Sequence, residues 1–117
     1  MNDINICGLA VGTELCYISK IKPTSENESP YTATIGKIES IYLGKKKNSI
    51  RISKFYPQDL NRVLSDIKSF EEHKNDILLL DTFFIYNKEN YDCVCKLIDK
   101  YTQATKTVSK KNHNTKN

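Results

Sequence analysis

Histidine, proline and glycine are scarce in this chain of 117 residues, which contains two, three and four of them. Neither His73 nor His113 is near an evident serine or cysteine nucleophile in the sequence, so little supports nucleophilic catalysis. Gly8 and Gly12 bracket a short apolar stretch that lacks the lysine and the strand–turn–helix context of a phosphate-binding loop. We therefore predict that the protein is not an enzyme.

The chain also lacks the cysteine spacing of a zinc site and any long apolar run. Its close pair, Cys93 and Cys95, is separated by one residue, whereas structural zinc sites use pairs separated by two to four residues. The longest apolar run, residues 77–80, is far too short to span a bilayer, and no secretory signal pattern is present. We predict a cytoplasmic protein with free thiols, no metal, no cofactor and no membrane contact.

Acidic residues are absent from the last sixteen positions, which contain four lysines. Residues 1–101 hold fourteen basic and fourteen acidic side chains, so the net charge of +4 belongs entirely to residues 102–117. We predict one α+β domain over residues 1–101. Residues 102–117 should form a basic tail or helical extension that suits an anionic partner.

Hydrophobic periodicity predicts an antiparallel sheet of about four strands with two helices packed on it. Strands are expected over residues 7–19, 31–43, 50–56 and 76–86, and residues 31–56 form a hairpin with a basic turn at 44–49. Apolar residues on both faces of 31–43 indicate either a central strand or a strand with one face covered by a partner. Helices are expected over 58–73 and from Asn87 onward, with Asn87 as the N-cap.

Basic and aromatic side chains supply the best candidates for a binding site. Arg51, the lysine turn and the tail lysines could converge on phosphate groups. Phe83 and Phe84 lie just before a helix N-terminus, a position that suits an anion and a stacked ring. The alternative is that these rings are core residues and that the lysines only aid solubility. The candidate ligand-binding residues are Arg51, Phe83, Phe84, Asn90, Tyr101, Lys106 and Lys110.

Three segments resemble small phage-encoded proteins built as a β-meander closed by a carboxy-terminal helix. These segments are residues 12–19 (GTELCYIS), 35–43 (IGKIESIYL) and 84–90 (FIYNKEN). Among such proteins the chain is most similar to the anti-Thoeris sponge family, whose members are oligomers that sequester cyclic ADP-ribose signals without degrading them. The resemblance implies a homo-oligomer in the host cytoplasm that binds a cyclic nucleotide.

The same resemblance implies roles for individual residues. Phe83 or Phe84 would stack on the ligand and Asn90 would contact a base edge. Lys106 and Lys110 would bind phosphate, although arginine suits a bidentate phosphate clamp better. Two alternatives stay open: an anti-CRISPR-like inhibitor that binds a host defence protein, and a single-stranded nucleic-acid-binding protein.

Overall fold

The protein has an α+β fold in which two helices pack on a curled, half-barrel sheet of five antiparallel strands. The computed structural model describes residue 6, residues 8–25 and residues 29–114, with side chains as far as residue 104. The elements are β1 (Glu14–Lys20), β2 (Tyr31–Leu43), β3 (Asn48–Ile52), β4 (Gln58–Asp59), α1 (Leu60–His73), β5 (Thr82–Ile85) and α2 (Lys88–Asn114). The strand order is β4-β3-β2-β1-β5. The predicted fold class is confirmed, and the two-residue strand β4 raises the strand number from about four to five.

Strand β2 is the middle strand of the sheet, and each half of it pairs with a different neighbour. Residues 31–37 pair with β1, whereas residues 38–43 pair with β3, so the sheet curls along this strand. The register shifts between Ile38 and Ser40, which is the signature of a β-bulge. Because of this shift, Ile38 and Ile41 both point into the core, although a regular strand would place them on opposite faces. The predicted hairpin and the central position of the strand are confirmed.

Both faces of the sheet are buried at β1 and β5, where a different helix covers each face. Helix α1 packs Leu60, Val63 and Ile67 into a cluster with alternate residues of β1, β2 and β3. Helix α2 packs Val94 and Leu97 into a second cluster, formed with the intervening residues of the sheet. Alternate side chains of one strand point to opposite faces, so continuous apolar stretches such as Leu15–Ile18 serve both clusters.

The helix starts follow local capping chemistry. Asp59 is the N-cap of α1 and its side chain accepts a hydrogen bond from the Asn61 N–H at 3.1 Å. Asn87 plays the same part for α2, where its Oδ1 accepts from the Asn90 N–H at 2.8 Å. The predicted cap at Asn87 is therefore confirmed, and α2 continues to Asn114, through most of the basic segment.

The strand predicted over residues 76–86 is wrong in its first half, since β5 covers only Thr82–Ile85. Residues 76–80 instead form the turn and irregular segment that leads out of α1. Asp81 then adopts a left-handed conformation, with φ of 57°, which sets the direction of β5. In the described part of the chain, no helix is both long enough and apolar enough to cross a membrane.

Candidate anion-binding pocket at the lysine turn

The turn between β2 and β3 carries three consecutive lysines, Lys45, Lys46 and Lys47. It is closed by a hydrogen bond from the Gly44 N–H to the Lys47 carbonyl oxygen at 3.1 Å. A side chain at Gly44 would place its Cβ 2.6 Å from that same oxygen and 2.8 Å from the Tyr42 ring, so this position requires glycine. The three lysines are thereby carried on a tight, exposed turn.

Pairing of β4 with β3 brings the start of α1 to this turn. Strand β3 begins directly after the lysines, at Asn48, and its second residue, Ser49, lies opposite Asp59. The result is a pocket of about 200 Å³ between the turn and the helix N-terminus. Its lining residues are Gly44, Lys45, Lys46, Lys47, Asn48, Asp59 and Asn61.

The chemistry of this pocket suits binding of an anion. Three lysines and one carboxylate line it, and that carboxylate, of Asp59, is engaged in capping the Asn61 N–H. The carboxamides of Asn48 and Asn61 add donors and acceptors at the rim. The N-terminus of α1 adds the partial positive charge of the helix dipole. Such a set of groups can hold a phosphate or carboxylate through charge-assisted hydrogen bonds.

The two candidate stacking residues, Phe83 and Phe84, are both core residues, each 1% exposed. Phe83 packs between Tyr17 and Phe55, at ring-centroid distances of 4.6 Å and 5.1 Å. Phe84 points to the other face, where it stacks on Phe70 at 4.2 Å with nearly parallel planes. Both faces of the sheet are covered at this point, so in this conformation neither ring offers a surface to a ligand.

Asn90 is likewise interior, at 2% exposure, and its side chain is committed to protein partners. Its Nδ2 donates to the Ile85 carbonyl oxygen at 2.8 Å and to Glu71 at 3.3 Å. Its Oδ1 accepts from Lys74 Nζ at 3.2 Å. All of its polar atoms are thus satisfied, and the geometry makes Asn90 a link between α1, β5 and α2.

Lys74 completes this link between the helices. Its ammonium group lies 3.0 Å from Glu71 on α1 and 3.2 Å from Glu89 on α2. The hydrogen bond to Glu71 is the main reason that the pKa of Lys74 is raised. Asn90, the predicted contact to a base edge, therefore anchors the first turn of α2 together with Lys74.

The outer edge of β5 is closed by side chains from both helices. Asp66 of α1 accepts from the Phe83 N–H at 3.2 Å, and Asn90 of α2 donates to the Ile85 carbonyl. Burial raises the pKa of Asp66, and the Phe83 N–H and the Arg62 guanidinium, 3.5 Å away, act in the opposite direction. These contacts satisfy backbone groups that an edge strand would otherwise present to another chain.

The remaining predicted ligand-binding residues are not gathered at one place. Arg51 lies on the exposed outer face of β3, in register with Ser40, and does not line the pocket. Tyr101 packs half-buried against the cluster under α2. The side chains of Lys106 and Lys110 lie outside the described residues, and their roles stay predictions.

The basic segment and the lysine turn lie at opposite ends of β2. Helix α2 passes the start of β2, where Thr102 contacts Ser29 at 3.3 Å between their hydroxyl oxygens. The lysine turn follows the last residue of β2, Leu43. Thirteen residues of strand span roughly 40 Å when straight, at about 3.3 Å per residue. Within one chain, Thr102, at the start of the basic segment, therefore lies far from the lysine turn.

The basic turn at residues 44–49 is evident in the sequence, whereas the pocket beside it is not. The missing parts are Asp59 and Asn61, which reach the turn only because the two-residue strand β4 pairs with β3. The available signal was Asp59 itself, an N-cap residue just before an amphipathic helix. Among the described residues, no group of three or more histidine, cysteine, aspartate or glutamate side chains is placed to hold a metal ion.

No protein family, curated protein or solved structure matches this chain. The fold and the pocket are therefore interpreted from their own geometry.

Proposed function

We propose that this protein is a non-catalytic binding protein that captures a small phosphorylated ligand through the lysine-turn pocket. The observation that carries the proposal is the pocket itself, in which three lysines from a glycine-closed turn meet the N-terminus of α1. A binding protein of this kind needs only to hold its ligand. Lysines and carboxamides on the pocket wall are sufficient for that.

The size of the pocket limits what it can enclose. A volume of about 200 Å³ is smaller than the roughly 300–1,000 Å³ of typical ligand pockets, so a whole nucleotide does not fit inside. A phosphate or diphosphate fits, with the rest of the ligand outside. Tyr42, which is 66% exposed and whose ring lies beside Gly44 of the turn, offers an aromatic surface for a base or sugar.

The ligand class that we favour is a cyclic nucleotide of bacterial immune signalling, sequestered by a phage anti-defence protein. This part of the proposal depends on the resemblance to the sponge family, while the pocket supports only the phosphate requirement. Sequestration predicts that bound ligand is released intact. The protein should therefore be mixed with a panel of cyclic nucleotides and heated, and the released compounds should be identified by mass spectrometry.

A pair of charge-matched variants tests where the phosphate binds. The turn variant changes Lys45, Lys46 and Lys47 to glutamine, and the control variant changes Lys106, Lys110 and Lys111 to glutamine. Both lose three positive charges, so non-specific electrostatic attraction falls equally. Each lost charged hydrogen bond is worth about 1.5–3 kcal/mol, so calorimetric titration should show at least a 10-fold loss of affinity for the turn variant.

The control variant should keep its affinity within about threefold. Loss of binding in the control but not in the turn variant would show that the phosphate binds at the basic segment, and it would refute the assignment of the site to the pocket. If wild-type protein binds no phosphorylated compound in the panel, the proposed function itself is refuted.

A second function, inhibition of a defence effector by protein–protein contact, is favoured by one observation. Tyr42 and Leu43, the last two residues of β2, are 66% and 51% exposed, so each face of this strand end presents a large exposed apolar side chain that a partner could cover. Pull-down from host lysate separates the two functions, because a ligand sponge retains no stoichiometric protein partner. A nucleic-acid groove is less well supported, since the two basic regions lie at opposite ends of β2.

A further inference from the structure

The first half of β2 has an open backbone edge. Even-numbered residues of this strand point their backbone groups at β1, as shown by the bonds between Ile38 and residues 12 and 13. Odd-numbered residues point the other way, as shown by Lys37, whose N–H and C=O bond to Ser53. In an antiparallel strand these directions alternate, so Ala33 and Ile35 also point away from β1.

No described residue bonds to the outward groups of Ala33 and Ile35. Strand β3 pairs with β2 only from Ile38 onward, and after Ser53 the chain turns away at Lys54, which has a φ of 75°. The side chains of residues 31–35 are each only half-buried. This edge contrasts with the edge of β5, which Asp66 and Asn90 close.

We propose that this edge pairs with the same edge of a second copy of the chain, as an antiparallel, two-fold symmetric strand pair centred on Ala33. The sequence of residues 31–35, Tyr-Thr-Ala-Thr-Ile, is close to symmetric about its centre. Pairing about Ala33 places each Thr32 opposite the partner's Thr34, and each Tyr31 opposite the partner's Ile35. Thr–Thr pairs and aromatic–β-branched pairs are among the favourable cross-strand pairs.

The charge distribution favours a second copy as the occupant. Residues 1–101 hold fourteen basic and fourteen acidic side chains, so the folded bodies of two copies carry no net charge with which to repel each other. Residues 29–36 contain no charged side chain, and Lys37 is the first after them. Edge strands that remain unpaired usually carry a lysine or another charge as a block, and this segment carries none.

The geometry of the dimer puts the two α2 helices on the same face of the sheet. Helix α2 passes this edge, because Thr102 contacts Ser29 just before the start of β2. A two-fold axis perpendicular to the sheet keeps the same face of both copies on one side. Both α2 helices then lie on one face of a continuous sheet.

Sedimentation of the full-length protein over about 1–200 µM tests the pairing. We expect a concentration-dependent monomer–dimer equilibrium for the wild type and a monomer for Ala33→Pro. Proline removes only the outward N–H, so the bonds between β2 and β1 stay intact and circular dichroism should be unchanged. A monomeric wild type at 200 µM would overturn the proposal, as would a folded Ala33→Pro protein that still dimerises.

Cross-linking decides the question if Ala33→Pro fails to fold. Hydrogen-bonded pairs in antiparallel sheets have Cα atoms about 5.5 Å apart, within disulfide range, so Ala33→Cys should form an intermolecular disulfide on mild oxidation. Thr34→Cys is the matched control, because residue 34 faces the partner's residue 32 and should cross-link at least fivefold less. The wild-type protein gives the background yield of intermolecular disulfides formed by the native cysteines. Equal yields at positions 33 and 34 would overturn the two-fold pairing.

Discussion

Replacement of Asn90 by alanine distinguishes a structural role from a ligand-binding role for this side chain. The change removes the donor to the Ile85 carbonyl oxygen and one acceptor of Lys74, whose ammonium group keeps Glu71 and Glu89 as partners. Asn90 is only 2% exposed, so water does not easily replace the lost donor. The backbone bond from the Asn90 N–H to Asn87 is retained. A buried group left unsatisfied costs about 1–3 kcal/mol, so the whole change should cost roughly 2–3 kcal/mol of unfolding free energy.

Urea unfolding followed by circular dichroism measures this loss. Unfolding entropy is about 2.1 cal/mol/K per residue, so for a chain of this length a loss of 2.5 kcal/mol corresponds to a fall in melting temperature of about 10 °C. Asn87→Ala is the control, because it removes an exposed N-cap of the same helix and should cost only about 1 kcal/mol. An unsatisfied buried group costs about 1–3 kcal/mol, so the reasoning would be refuted if Asn90→Ala lowered the unfolding free energy by less than about 0.5 kcal/mol and yet abolished nucleotide binding.

Two further predictions concern close packing and burial. Gly36→Ala should destabilise the protein by about 1–3 kcal/mol in the same assay, because the new Cβ would lie 2.8 Å from Ile52 Cγ2 and would also clash with the Ser53 carbonyl oxygen. A neutral result would show that β3 can move away from β2. Burial raises the pKa of the Cys16 thiol from 9.0 to about 11, so the folded state keeps a proton that the unfolded state loses. Unfolding free energy should therefore fall as the pH rises from 9 to 11, and this fall should be shallower in Cys16→Ala; an identical pH slope would contradict the assignment.

The helices and the hairpin were predictable because their signals are local. Apolar spacing, the caps at Asp59 and Asn87, and the polar turn after Leu43 depend on residues within a few positions of each other. The bulge in β2 was not predictable in this way. Simple alternation assigns Ile38 and Ile41 to opposite faces, and only the pairing with β3 shows that both are core residues.

The candidate site illustrates the same limit. Phe83, Phe84 and Asn90 resemble a ligand platform when the sequence is considered alone, because aromatic rings and an amide adjoin a helix start. The structure covers both faces of β5 with helices, and this cover depends on contacts from Phe70 and Glu71, more than ten residues away. Burial is a property of the whole fold, so local patterns cannot reveal it.

The sequence by itself determined the composition of this protein and its local elements: a balanced body, a basic carboxy-terminal segment, two amphipathic helices and a lysine-bearing hairpin. These follow from charge and from short-range periodicity. Only the tertiary structure decided which groups meet. It placed the lysine turn against the start of α1, it separated that turn from Thr102 by the length of β2, and among the described residues it left the Ala33 edge without a strand partner. The physical reason is that strand register and helix docking are set by long-range packing, which no single segment encodes.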